Sequence, residues 1–358
     1  MINVTKPYLP SKEEYTAYLD GIWERNWLTN YGPLVNELED KLKQRLEVDY
    51  LQFLVNGTVP LQIAIKVLGI TGEVITTPFS YVATTGAILW ENCTPVFVDI
   101  EPKTFCIDAD KIEASITPET SAILATHVYG FPCDVVKIEQ IAKKHNLKVI
   151  YDGAHAFGVK INGKSIFQYG DISTCSFHAT KLFHTVEGGA IICNNKELND
   201  QIFLHKAFGH LGDDYKSIGI NGKNSEFHAA MGLCNLPKVS GFIEQRKTIS
   251  EIYRTELKKL EIEFPVIPAG LDYNYSYFPI LFKSEEVLLK VKNYLAANEV
   301  NTRRYFYPSL NTLPYLEKHY ACPVSEAIAV RVLCLPFYQQ LTKEEILFIC
   351  KLVTAAFK

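Results

Sequence analysis

The 358-residue sequence has no surplus of positive charge: 36 lysines and arginines face 40 aspartates and glutamates, a net charge of −4 with histidine neutral. A chain that grips a duplex neutralises rows of phosphates with basic side chains, so nucleic-acid binding is not expected. No stretch reaches the ~18–20 uninterrupted apolar residues of a membrane span. Met1 to Pro10 is polar, carries two prolines and has no apolar run, so no secretory leader is expected. The nine cysteines are odd in number, scattered from Cys93 to Cys350 and never spaced C-x-x-C. That signals neither a disulfide framework nor a zinc knuckle, and reduced thiols in the cytoplasm are the plain expectation. Repeats and low-complexity tracts are missing too. What remains is ordinary globular chemistry, 47% hydrophobic and 21% charged, in a length that suits two or three domains or subdomains.

From residue 50 to 195, short β-branched runs alternate with helical stretches. Gln52 to Val55, Glu73 to Thr77, Pro95 to Asp99, Ala122 to Ala125 and Lys148 to Tyr151 read as strands. Val59 to Leu68, Tyr81 to Trp90, Asp108 to Ala114 and Asp134 to His145 read as helices, the last with Val136, Ile138, Ile141 and Ala142 inward. Near-continuous apolar strands separated by helices predict an α/β fold, a large mostly parallel sheet with helices on both faces. In such sheets ligands collect at the carboxyl ends of the strands. Capping boxes at Ser11-x-x-Glu14 and Thr342-x-x-Glu345 open the first and last helices. A connector helix from about Ser240 to Leu260 precedes a strand, Tyr277 to Phe282, and a helix, Glu285 to Asn298. The expected division is a large domain over 1–240 and a small C-terminal α+β domain over 241–358.

Gly158 to Ser165 fits the phosphate-loop pattern G-x-x-x-x-G-K-S. That mechanism needs a helix directly after the loop, whereas Ile166 to Tyr169 reads as loop or strand and Asn162-Gly163 as a hairpin turn. A nucleotide triphosphatase is therefore disfavoured. No G-x-G-x-x-G follows a strand, no G-x-S-x-G or H-E-x-x-H occurs, and no metal site is expected.

Two segments carry chemistry. Asp152 directly follows a strand that reads as wholly buried. Ser173 to Ala190 begins as a strand, presents Lys181 amid small and hydroxyl residues, and turns through Gly188-Gly189 into a further strand. Separately, Asp152 could be a solvated or capping acid and Lys181 a surface loop lysine. Together they fit pyridoxal 5′-phosphate, which needs a lysine for its Schiff base, an acid at its ring nitrogen, an anion nest and an aromatic cover. Asn56-Gly57-Thr58 at the start of the Val59 helix offers the nest through helix N-terminal amides and the Thr58 hydroxyl. Ser176 offers a second hydroxyl. Tyr81, past another strand end, offers the cover, with core packing as its bland alternative.

The same residues lie in a longer pattern. It runs through Trp27-Leu28-Thr29-Asn30-Tyr31-Gly32-Pro33, Asn56-Gly57-Thr58, Thr76 to Thr84, Pro95 to Ile100 and Thr126 to Gly130. It continues through Asp152-Gly153-Ala154-His155, Ser176 to Gly189, Gly219 to Glu226 and Arg303 to Pro308. In these segments the chain resembles the DegT/DnrJ/EryC1/StrS sugar aminotransferases. The resemblance implies a fold-type-I pyridoxal phosphate enzyme with Lys181 as the Schiff-base lysine and Asp152 at the ring nitrogen. It further implies His155 near the ring hydroxyl, Gly57, Thr58 and Ser176 at the phosphate, and Tyr81 stacked on the ring. Asn221 would reach the phosphate of the other subunit, which implies a homodimer with shared active sites. Lys223 departs from the arginine common in the family, which weakens a bidentate carboxylate contact there. A dehydrating branch has histidine in place of the lysine, and Lys181 argues against it.

The implied reaction is ping-pong transamination with glutamate as donor and 2-oxoglutarate as product. The acceptor implied is a nucleotide-linked 4-keto-6-deoxyhexose, chiefly dTDP-4-keto-6-deoxyglucose, on the way to surface polysaccharide. Thr29, Asn30 and Tyr307 are expected near substrate. Amination at C3, another nucleotide, and a non-catalytic pyridoxal phosphate-binding regulator are the alternatives.

Overall fold

The computed structural model describes residues 1–357. Two helices open the chain, α1 (Lys12–Arg25) and α2 (Pro33–Leu46), and the alternation of strand and helix follows. It runs β1 (Tyr50–Leu54), α3 (Val59–Val67), β2 (Glu73–Thr76), α4 (Val82–Trp90), β3 (Thr94–Phe97) and the one-turn α5 (Ala109–Ile112). Then come β4 (Thr120–Thr126), α6 (Val135–His145), β5 (Lys148–Asp152), the hairpin β6 (Lys160–Ile161) and β7 (Lys164–Ser165), β8 (Ile172–Ser176) and β9 (Gly189–Cys193). The large sheet has the order β1-β9-β8-β5-β4-β2-β3. Its pairs are parallel except at β9, which runs against both β1 and β8.

That topology places the site. The carboxyl ends of β1, β2, β4, β5 and β8 share one edge of the sheet, and the reversed β9 brings its first residue there. Gly189 pairs with both Leu54 and Ser176. A Cβ on Gly189 would lie 2.0 Å from the Asn56 carbonyl oxygen, so only glycine lets the chain after β1 cross so closely. Strands β2, β4 and β5 are buried almost throughout, as sheet strands covered on both faces must be.

The first helix pair is tied to the sheet domain by a residue far away in sequence. Glu226 is fully buried, and its carboxylate accepts from the Leu34 and Val35 amides at 3.0 and 2.9 Å, capping α2. Gly32 is obligatory beside it, because an added Cβ would sit 2.4 Å from the Glu226 carboxyl carbon.

The later chain holds α7 (Lys196–Lys206), a short hairpin of β10 (His210–Leu211) and β11 (Asp214–Tyr215), α8 (Glu226–Asn235) and α9 (Val239–Leu257). After these come β12 (Leu271–Asp272), β13 (Pro279–Leu281), α10 (Glu285–Ala297), α11 (Pro323–Ala329), β14 (Val332–Cys334) and α12 (Lys343–Phe357). A second apolar core joins α9, β13, α10, β14 and α12, with Tyr253, Ile280, Val291, Leu333 and Ile349 at its centre.

Several sequence expectations need correcting in detail. In α6 the inward face is Val135, Ile138, Ile141 and Ala142, and Val136 is 59% exposed, because it stands about 100° round the helix from Val135 and falls off the three-to-four-residue spacing of that face. The Thr342 box closes in both directions, at 2.9 and 3.2 Å. The Ser11 box is only half made: Ser11 accepts from the Glu14 amide, while the Glu14 carboxylate turns to Lys238 at 2.7 Å. Asn162 and Gly163, with φ of 49° and 79°, make the tight turn between β6 and β7. Only a three-residue 3₁₀ turn follows, so the phosphate-loop match has no helix to work with.

Candidate active site

Asp152 ends β5 and is 6% exposed. Its Oδ2 accepts from the Thr84 hydroxyl at 2.7 Å and its Oδ1 from the Ala154 amide at 3.0 Å. Thr84 spends its one proton on Asp152, so Ser80, 2.7 Å away, donates to Thr84, and Ser80 in turn accepts from Thr126 at 3.1 Å. A one-way chain of hydroxyls thus ends on the carboxylate. Burial raises the carboxyl above its ordinary range, while Thr84, the Ala154 amide and the Lys181 charge pull it back. This is a buried anion held ready for a cationic hydrogen-bond donor.

Lys181 lies between β8 and β9 on a stretch without regular structure. The stretch is closed by its own backbone, from Phe177 to Gly188 at 2.8 Å and from Thr185 to Phe177 at 2.9 Å. Phe177 and Phe183 pack edge to face at 4.9 Å, and Phe157 stacks on Phe183 at 4.7 Å, which anchors the loop in the core. The Lys181 Nζ donates to the Tyr277 hydroxyl at 3.1 Å.

Asp152 and Lys181 line one cavity of about 260 Å³ together with Gly57, Thr58, Ser176 and Tyr81. Gly57 approaches Ser176 so closely that a Cβ would fall 2.7 Å from that of Ser176. The expected anion nest is smaller than the sequence suggests. The Asn56 side chain already accepts from the Thr58 and Val59 amides, both at 2.9 Å, as asparagine ahead of a helix tends to do. Gly57 and the Thr58 and Ser176 side chains are what remain to face an anion there. Tyr81 precedes α4 and is 53% exposed at the cavity, so it is not a core residue.

His155 is buried behind the cavity wall. Its Nδ1 accepts from the Tyr129 amide at 3.2 Å, and its ring stacks 5.5 Å from Phe306. Burial, then the nearby Lys181 charge, holds it well below the usual histidine range, hence neutral. Asn221 stands away from this chain's cavity, paired with Ala207 and accepting from Lys223 at 2.9 Å. Thr29, Asn30 and Tyr307 do not line it either. The Thr29 carbonyl accepts from the Trp27 indole at 2.6 Å, Asn30 turns the chain with φ of 61°, and Tyr307 lies 3.4 Å beneath the Arg304 guanidinium.

Part of the wall is made by residues to which the sequence analysis assigned no role, although all but Tyr277 lie in the segments of family resemblance. Tyr277, Arg303, Tyr305 and Phe306 close the far side, and His178 and Glu187, 3.5 Å apart, stand at the cavity as well. Thr84 could have been found, one helical turn past Tyr81. Tyr277 had no local signal. No cluster of three or more metal-ligating side chains occurs among the described residues.

The sequence profile of the DegT/DnrJ/EryC1/StrS aminotransferase family matches residues 10–354. The chain belongs to this family. As a family member it is an aminotransferase of the fold-type-I α/β class. It is 45% identical over 350 residues to a dTDP-4-amino-4,6-dideoxy-D-glucose transaminase of Shigella dysenteriae, covering 96% of this chain and 95% of the relative. A transaminase of the same description from Escherichia coli is 42% identical, covering 98% of both chains. Among solved structures, that of DesI in the presence of its TDP-sugar product superposes with a TM-score of 0.95 at 32% identity, over 100% of this chain and 93% of that one. No helix among the described residues is long and apolar enough to cross a membrane.

Proposed function

We propose that this aminotransferase uses pyridoxal 5′-phosphate to carry an amino group from L-glutamate to C4 of dTDP-4-keto-6-deoxyglucose. The product would be dTDP-4-amino-4,6-dideoxyglucose, for surface polysaccharide. The observation that carries the chemistry is the meeting of Lys181 and Asp152 on one cavity. The sugar and its nucleotide rest on the two transaminases at 45% and 42% identity.

The residues fit the cofactor. Gly57, Thr58 and Ser176 suit its phosphate, Tyr81 its ring face, Asp152 its ring nitrogen and Lys181 its aldehyde. When bound, the cofactor supplies an electron-poor ring that stabilises negative charge on the carbon beside the transferred nitrogen. Asp152 would keep the ring nitrogen protonated, helped by the hydroxyl chain that ends on its carboxylate. With the cofactor bound, the Lys181 amine would take the proton from the glutamate α-carbon and would return one to the sugar C4 in the second half-reaction. Neutral His155 adds no positive charge beside the cavity.

An exposed apolar arm, Phe208, Leu211, Tyr215, Ile218 and Ile220, leads directly to Asn221. That supports a homodimer in which Asn221 completes the partner's phosphate site. Residues 1–240 would be the cofactor-binding domain and 241–358 the small domain, residue 358 lying outside the described part. All nine thiols are free and buried, which suits a cytoplasmic enzyme.

Mass spectrometry of products from a panel of nucleotide ketosugars with glutamate tests the reading. The dTDP-4-keto sugar should gain an amine at C4. Preferred amination of a 3-keto sugar or of another nucleotide would replace the substrate, and none with any sugar would favour a cofactor-binding regulator. A mixture of Lys181→Ala and Asn221→Ala proteins tests the shared site. Mixed dimers contain one intact site, so activity should exceed that of either variant alone; no recovery would refute sharing.

A further inference from the structure

We propose that Tyr277 is a positioning residue for Lys181, holding the lysine amine at the cavity wall whenever that amine is free. The proposal rests on the pyridoxal phosphate reading. A lysine stem has many rotamers, and an amine that must attack one aldehyde carbon and move protons at another carbon gains from being held. The side-chain hydrogen bond of Lys181 in this structure runs to the Tyr277 hydroxyl, at 3.1 Å. A phenol serves both states of the amine: its oxygen accepts from an ammonium, and its O–H donates to a neutral nitrogen. Phenylalanine would serve neither.

The tyrosine is itself fixed. Its ring meets the edge of His155 at 5.0 Å and 74°, tilts against Tyr129 at 5.5 Å, and contacts Tyr305 at 5.5 Å. The residues before it are tied to the segment that follows Asp152. Asn274 and Ser276 both donate to the His155 carbonyl, at 2.8 and 2.7 Å. Buried Arg246 donates to the Ser276 carbonyl at 3.0 Å from the other side. The hydroxyl that meets the lysine is therefore set in register with the acid that would meet the ring nitrogen.

Capture of the cofactor joins the Lys181 nitrogen to the aldehyde carbon, and the aldehyde oxygen leaves as water with two amine protons. The amine must be unprotonated and aimed when it attacks. Stopped-flow spectroscopy on cofactor-free protein can follow this capture through its visible band. Tyr277→Phe should slow capture roughly tenfold, the worth of one hydrogen bond. Its affinity for pyridoxamine 5′-phosphate, which has no aldehyde, should stay unchanged, and kcat should fall with KM kept. Equal capture rates, or a joint loss of pyridoxamine phosphate binding, would overturn the proposal. Should Tyr277→Phe not fold, 3-fluorotyrosine at 277 keeps the shape and acidifies the phenol, and the pH profile of capture must then move to lower pH; an unmoved profile overturns it equally. Wild-type protein that captures no cofactor breaks the functional reading itself, and this proposal with it.

Discussion

The two walls of the cavity are built in different ways. The sheet-edge wall, with Gly57, Asp152 and Ser176, is made where strands end, and sheet topology alone brings those residues together. The opposite wall, with Tyr277, Arg303, Tyr305 and Phe306, comes from the later chain, and its tyrosine lies 96 residues beyond the lysine it meets. Strand pairing reaches that wall only at Arg303, bridged to Cys334 of β14, and leaves Tyr277 unplaced. Hydrogen bonds of Arg246, Asn274 and Ser276 set the segment that carries Tyr277. The sheet edge should therefore carry the chemistry rigidly, and the far wall should tune it at a cost in stability when disturbed.

The largest effect should come from the sheet edge. Asp152→Asn should lower kcat roughly a hundredfold or more, since the ring nitrogen would lose its acid. Stability should move the other way. The folded pKa of Asp152 lies above its unfolded value, so the protonated carboxyl is the favoured form, and the stability its protonation contributes is lost as pH rises through the folded pKa. At neutral pH the cofactor-free Asn variant should therefore melt no lower than wild type. A large drop in melting temperature would mean that the acid is structural and would break the contrast.

Arg246 sharpens the comparison from the other wall. It is buried without a carboxylate partner in its hydrogen bonds, which go to the Gln339 side chain at 3.3 and 3.2 Å and to the Ser276 and Tyr275 carbonyls at 3.0 and 3.4 Å. Burial, opposed by Tyr277 and Tyr273, pulls its pKa down to about 10, so its charge costs stability while its donors organise the loop. Arg246→Met would leave these buried acceptors unmatched and should destabilise the protein by about 3 kcal/mol. Turnover should fall only a few-fold, because no Arg246 atom lines the cavity. Thermal melting and steady-state kinetics on one preparation separate the two effects.

The same contrast explains what the sequence revealed. Asp152, Lys181 and Ser176 were legible because each lies within a few residues of an apolar strand, and period and composition locate strands well. Tyr81 and Gly57 were legible for the same reason. The anion nest was overestimated because nothing local distinguishes an amide that Asn56 has already satisfied from one left open. Tyr277 and Arg246 were invisible because their roles depend on contacts across the whole chain. Glu226 lies in a recognisable segment, yet its use as the cap of α2, about 190 residues away, follows only from three dimensions.

The central proposal is that Lys181 is the one lysine joined covalently to the cofactor. Purified protein loaded with pyridoxal phosphate can be reduced with borohydride, digested and mapped by mass spectrometry. The account predicts a single phosphopyridoxyl adduct on Lys181, absent from Lys181→Ala protein, with the other lysines unmodified at stoichiometric cofactor. An adduct on another lysine, or catalytic turnover retained by the alanine variant, would contradict it.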